Sequence, residues 1–400
     1  MILNYRCENF GPFKENAEFS MKPGKVTSRF KENVHEINDK LKVSKVAVIV
    51  GENAGGKTSF MKSLDYFKFI ITESTNQYAI KQLCNKYNTE EQKFEIELLT
   101  ENKIYTYILN MDKYSVTKEK LEVRSCNQKK SQNKFVFLNK REETKKNENG
   151  NYELIYNIAV NNAYINKEIE KLSSNALEVN QLFINFFYTV GIEIVKPFRD
   201  YMINKLIVSL PEDAGYNVYK YMQKNARDLE IIKKDTFLEI FRMVDTSIIG
   251  LEIDDEDPFR ESNVIRETSD GDRFSMKLVD DSSGVKEFFA WAIQIWEVLY
   301  QDKVVFADEI DKVLNSILAV KVINYIKNSK HNGQFIFSTH NILHLNTNIF
   351  MKEQIYFVSK DTDTLCSELY SLGDFKEYKY DNPNVYELYL KGVFGGVPNA

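Results

Sequence analysis

Three groups of residues in this 400-residue chain have types and spacings suited to chemistry on a phosphate. The first lies in Val46–Phe60, VAVIVGENAGGKTSF, where Gly51, Gly56, Lys57 and Thr58 complete the pattern G-x-x-x-x-G-K-[ST]. Glycines at 51, 55 and 56 let the backbone turn sharply with its amide hydrogens facing an anion. The positive end of a following helix adds its dipole to the same place. The pattern aims Lys57 at the β- and γ-phosphates of a nucleotide and the Thr58 hydroxyl at Mg2+. Asn53, Ala54, Gly55, Gly56, Lys57, Thr58 and Ser59 are the expected cradle.

The second group is Lys303–Asp311, KVVFADEID, four apolar residues ending in two carboxylates. A continuous apolar run suits a strand buried on both faces of a parallel sheet. At its carboxyl end Asp308 would hold Mg2+ through water, and Glu309 would orient and deprotonate an attacking water. The third group closes GQFIFSTH, where His340 follows Ser338 and Thr339 at a strand end, the place where open α/β sheets put ligands. His340 could bond a γ-phosphate and sense its hydrolysis. A weaker element is Asp280–Lys286, DDSSGVK, opening a helix; a serine and a glycine there can bind an anion, but from the residues alone an ordinary N-cap by Ser282 or Ser283 is the better account.

The elements that must position these groups follow from periodicity. Phe60, Met61, Leu64 and Phe67 predict an amphipathic helix to about Ile71. Residues 2–22 alternate around two short strands with a turn near Gly11–Pro12, and Pro23 to Lys42 reads as surface loop with a short helix. Lys93–Leu99 and Ile104–Leu109 flank a hairpin turn, and Tyr114–Val123 and Phe135–Leu138 extend the same antiparallel sheet. The lysine-rich stretches QKKSQNK and NKREETKKNENGN read as solvated loops; they lack the interleaved aromatics of a single-strand platform. From about Asn162 to Asp245 apolar positions recur every third or fourth place, a helical block that includes Tyr216, Tyr219 and Tyr221 as core. Strands return at Ile249–Ile253 and Phe274–Val279, with a turn near Asp270–Gly271. The acidic run Asp254–Asp257 lacks the spacing and glycine of a calcium loop.

Bulk properties narrow the classes. A net charge of −5 excludes a polycation, so any nucleic-acid contact must be a local patch. A 43% apolar share supports a packed core. Cys7, Cys84, Cys126 and Cys366 form no C-x-x-C pair, which suggests a reducing compartment. No apolar run reaches the length of a membrane helix. The expectation is a soluble cytoplasmic protein with no membrane partner.

The order of parts (MILNYRCENFGPF, GENAGGKTS, a helical block, DSSG, VVFADEID, STHN) resembles the ATP-binding-cassette heads of the RecF and SMC class. Within that class it is similar to the small bacterial AAA-family ATPases of the abortive-infection AbiL/RloA type, which the tail segments QIYFV, ELYSLGDF and YLKGVFGGVP also match. The resemblance covers roughly 1–120 and 245–400. It implies an α/β P-loop NTPase fold of ABC-head type, a mixed sheet with an antiparallel β subdomain, interrupted by an α-helical insertion. The implied division is 1–160, 161–246 and 247–400. ATP and Mg2+ are the implied cofactors, and a homodimer through ATP-bound heads the implied assembly. In such heads ATP on one subunit is closed over by a signature serine of the second. Ser282 matches that serine and Gly284 the accompanying glycine, while Asp311 falls in the loop that crosses the interface. The motif departs from the pattern in reading DSSGV rather than a glycine pair followed by glutamine, and no lid glutamine is assigned.

The leading expectation is thus an ATP-driven dimerising switch in defence against phage, working with a partner nuclease or toxin or through nucleic acid. The main alternative is a RecF-like DNA-binding repair ATPase. A transporter subunit or a scaffold with vestigial hydrolysis would fit less of the chain.

Overall fold

The computed structural model describes residues 1–24, 28–73, 91–112, 115–146, 152–176, 181–210, 226–312, 314–378 and 385–396. Its centre is a six-stranded sheet in the order Leu206–Ser209, Val304–Ala307, Gln334–Thr339, Val46–Gly51, Ile355–Lys360, Ser367–Ser371. The first five strands are parallel and the last is antiparallel. The apolar runs seen in the sequence are the strands buried on both faces. Alternate side chains serve two cores, as the two-residue pleat requires. Ala47, Ile49, Val304, Phe306 and Ile336 join one core; Val46, Val48, Val50, Val305, Ala307, Phe335 and Phe337 join the other.

The first core is closed by the helix Lys57–Thr72 and, beyond it, by a seven-stranded antiparallel sheet running 152–160, 134–146, 116–125, 103–111, 92–100, 2–8, 17–20. Phe60 and Phe67 of the helix meet Tyr5, and Phe67 also meets Phe94 and Tyr107 of that sheet. The second core is closed by the helices Ser283–Tyr300 and Ser316–Asn328. A three-stranded antiparallel sheet, Ile248–Glu252, Asn263–Glu267 and Arg273–Lys277, leads into the first of them. The α/β P-loop architecture, a mixed sheet with an antiparallel β subdomain, is as the sequence predicts. Among the described residues no helix is long and apolar enough to cross a membrane.

Local expectations fare unevenly. Glu101 and Asn102 both take positive φ, 48° and 58°, in a two-residue turn between Gln92–Thr100 and Lys103–Met111, the predicted hairpin. Residues 134–146 form one strand rather than a short strand and a polar loop, because Lys140 pairs with both Lys118 and Asn157 in a ladder that runs to Lys146. Val34–Asn38 and Leu41–Ser44 pair as a ribbon where surface loop was expected. The block 161–246 carries the helices 167–176, 183–189, 196–204, 226–232 and 235–241, but also the strand Leu206–Ser209, which enters the central sheet beside the acidic strand. Tyr216, Tyr219 and Tyr221, Tyr114 and Cys84 lie outside the described residues. Cys7, Cys126 and Cys366 are free thiols.

Candidate functional site

The phosphate loop is built where the strand Val46–Gly51 runs out of partners. Val358, the last residue to pair with it, stands opposite Gly51. A Cβ on Gly51 would come within 2.4 Å of the Val358 carbonyl oxygen, so only glycine lets the two strands meet there. Ala54 takes φ 60° and Gly56 φ 120°, turning the chain into the helix. Gly56 is the N-cap of that helix, and no side chain caps its first amides. Uncapped amides at the start of a 16-residue helix are suited to an anion. The Ser367 hydroxyl donates to the Gly55 carbonyl at 2.5 Å, fixing the loop from the antiparallel edge strand. Ser367 belongs to no motif, so nothing local in the sequence marks this contact.

Lys57 is buried, 4% exposed, with its Nζ 2.8 Å from the Gly51 carbonyl and 3.0 Å from that of Glu52. Burial brings its ammonium down to about 8, against the pull of Asp308, Glu309, Asp311 and Glu52. The same Nζ is 3.2 Å from His340 Nδ1. A charged lysine is donor only, so that nitrogen accepts and the His340 proton lies on Nε2, 3.5 Å from Glu309 Oε1. Lys57, His340 and Glu309 therefore come together from three segments 252 and 31 residues apart in sequence (309 − 57 and 340 − 309).

Asp308 and Glu309 are held from the neighbouring strand. The Ser338 hydroxyl donates to Asp308 Oδ1 and accepts from the Glu309 amide at 2.8 Å. The Asp308 amide donates to the Ser209 carbonyl at 2.9 Å, so the strand from the helical block also braces the acid. Asp308 is 4% exposed, and its Oδ2 is a buried acceptor with no hydrogen-bond partner among the described residues. An uncompensated buried carboxylate oxygen fits a divalent cation. Thr58 stands next to Lys57 on the first helical turn, its side chain half-buried. Glu309 has φ 50°, a left-handed conformation uncommon for glutamate. The Lys312 ammonium, 2.5 Å away, holds its carboxyl below the usual range.

Asp311, on the turn Ile310–Lys312, bonds within its own chain: Oδ1 accepts from the Thr339 hydroxyl and Oδ2 from the His340 amide, both at 2.5 Å. Ser282 is the N-cap of the helix Ser283–Tyr300, accepting from the Val285 amide at 3.4 Å. Ser282, Ser283 and Gly284 are exposed, and a Cβ on Gly284 would meet nothing within 4 Å. Beneath them Arg266 joins Asp281 at 2.6 Å and Asp245 at 2.9 Å, an anchor that sequence reading did not find. Asn53 and Ala54 of the loop face solvent, and Ser59 lies half-buried on the first turn of the helix. The run Asp254–Asp257 is a self-bonded turn in which Asp254 Oδ1 accepts the amides of Glu256 and Asp257.

Residues 46–346, more than half of the chain, match the family described as "AAA domain, putative AbiEii toxin, Type IV TA system". Among solved structures the chain is similar to an SMC head domain from Thermotoga maritima, at 14% identity over 92% of this chain and 98% of that one, with a TM-score of 0.44. It is also similar to an SMC head bound to the C-winged helix domain of ScpA, at 15% identity over 92% and 97%, with a TM-score of 0.46. No curated protein matches the chain in sequence. The match running from the phosphate strand past His340 shows that the chain belongs to this family of AAA-domain P-loop proteins.

Proposed function

We propose that the protein is a Mg2+-dependent ATPase of ABC type whose two copies close on ATP and part on hydrolysis. The observation that carries this reading is the polar cluster of Lys57, His340 and Glu309, next in sequence to Asp308, one oxygen of which has no hydrogen-bond partner among the described residues. Uncapped amides at Gly56–Thr58 and the Lys57 ammonium would take the β- and γ-phosphates. Thr58 and Asp308 would hold Mg2+, which when bound neutralises charge on the phosphate oxygens. Glu309, kept ionised by Lys312, would accept a hydrogen bond from the attacking water and take its proton. His340, with its proton on Nε2, would bond the γ-phosphate and register its loss. Asn53, Ala54, Gly55 and Ser59 would line the triphosphate. The exposed Ser282 and Gly284 would reach the γ-phosphate on a second copy, which makes ATP the adhesive between subunits.

The biological output we infer is anti-phage defence of the abortive-infection kind, exerted through a partner effector. The family's description, which names an AbiEii toxin and a toxin–antitoxin system, supports it. DNA binding of the RecF kind has less support, since Lys130 and Arg141 of the lysine-rich stretches pair with Glu95 and Asp112. The test is Glu309→Gln with saturating ATP and Mg2+ in light scattering. Accumulation of dimers is expected, and a persistently monomeric variant would refute the clamp.

A further inference from the structure

The end of the strand Gln334–Thr339 needs an explanation that the ladder does not supply. Pairing to Val46–Gly51 stops at Thr339 opposite Val50, so the His340 amide has no backbone partner on that side. It donates instead to Asp311 Oδ2 at 2.5 Å, while Oδ1 takes the Thr339 hydroxyl at the same distance. The Thr339 hydroxyl oxygen in turn accepts the Asn341 amide at 2.9 Å, so three consecutive residues are tied to one carboxylate. The carboxylate itself cannot drift. Its turn is pinned by Ile310 at 0% and Leu314 at 1% exposure, and Asn315 then caps the helix Ser316–Asn328. Hydrogen bonds to an ionised acceptor are the strong class. A backbone held this way fixes where the imidazole emerges, and the ring lies 3.2 Å from Lys57 and 3.5 Å from Glu309.

We infer that Asp311 is a positioning residue for His340 of its own subunit, acting through the Thr339 hydroxyl and the His340 amide, rather than a contact to the second subunit. The inference rests on the ATPase reading above. Both carboxylate oxygens are engaged in cis, which leaves the residue committed before any partner arrives. Asp311→Asn keeps the shape and one acceptor oxygen but puts a donor against a donor.

The test uses the full chain and reads geometry and rate separately. In wild type the His340 amide proton, assigned by comparison with His340→Ala, should resonate far downfield, and Asp311→Asn should move it upfield. In steady-state ATP hydrolysis Asp311→Asn should lower kcat by about 10- to 100-fold, the range typical of groups that orient a reacting side chain, with KM within about twofold. The double variant with His340→Ala should be no slower than His340→Ala alone, because the two act as a unit. In the Glu309→Gln background Asp311→Asn should still dimerise on ATP. An unmoved His340 signal, additive rate losses, or dimerisation abolished by Asp311→Asn would each overturn the inference. A wild-type protein that hydrolyses no ATP, with the His340 signal still answering to Asp311, would overturn the proposed function and leave the positioning contact standing.

Discussion

Ser338→Ala isolates the cross-strand link that holds the two acids. The hydroxyl serves two partners at once, donating to Asp308 Oδ1 and accepting from the Glu309 amide at 2.8 Å. Ser338 is 0% exposed and Asp308 4%, so water replaces neither bond without opening the sheet. Leaving a buried donor or acceptor unmade costs about 1–3 kcal/mol each. Asp308 Oδ2 already has no hydrogen-bond partner among the described residues, so the variant would leave both oxygens of one buried carboxylate without a donor there. The expected loss of stability is therefore about 2–5 kcal/mol, the sum of two such terms with the Glu309 amide, half-buried, at the lower end. Denaturant unfolding of wild type and Ser338→Ala measures it, and added Mg2+ with ATP should recover part of it in both proteins by binding the folded state. Hydrolysis should fall about tenfold to a hundredfold through misplacement of Glu309. A variant within about 0.5 kcal/mol of wild type and with unchanged kcat would show that the acids hold their places without the hydroxyl, and the account of the acid pair would be wrong.

Two further substitutions probe the frame. Gly51→Ala would push a methyl to 2.4 Å from the Val358 carbonyl, and since both are backbone-fixed the strands must part; a loss of about 1–3 kcal/mol or more and greatly weakened ATP binding are expected by unfolding and calorimetry. Gly284→Ala, with open space around it, should leave stability unchanged or slightly raised. Glu119 tests the link between the antiparallel sheet and the helix Phe183–Thr189, whose first amides it accepts at 2.7 and 2.8 Å, with Tyr107 donating at 2.9 Å. Burial pushes its carboxyl up from 4.5 to about 7, against those three hydrogen bonds. The folded protein then keeps a proton that the unfolded chain has released between about pH 4.5 and 7, so stability falls as pH rises through that window. At ~1.4 kcal/mol per pH unit the fall amounts to about 3 kcal/mol. Unfolding at pH 5 and pH 8 should show this decline in wild type and not in Glu119→Gln; equal declines would contradict it.

How much was readable in advance depended on whether a feature was local. The loop, the acidic strand and the histidine strand announce themselves because a parallel strand buried on both faces is an unbroken apolar run, and each ends in the residues that do chemistry. Their order in the sheet, with Gln334–Thr339 lying between the other two, is not local, and without it the double role of Ser338 is invisible. Leu206–Ser209 escaped notice for a different reason: four residues give too short an alternation to stand out within helical periodicity. The strand 134–146 was masked by its composition, since Lys, Arg, Glu and Asn read as loop, yet it pairs with one neighbour from Lys134 to Lys140 and with the other from Phe137 to Lys146. Asp311 was legible only by resemblance, which pointed it at a second subunit, whereas the backbone amide that it meets has no sequence signature. Ser282 illustrates the converse: motif and N-cap use the same residue, and the structure displays the cap.

The central claim is that the Lys57 loop and the Asp308 strand serve one magnesium triphosphate. Calorimetric titration of ATP into wild type, Asp308→Asn and Lys57→Ala, each with and without Mg2+, tests it directly. Wild type should bind more tightly with Mg2+ than without, Asp308→Asn should bind equally in both conditions, and Lys57→Ala should bind in neither. An Asp308→Asn protein that keeps the full magnesium effect would mean that loop and acid serve different ligands.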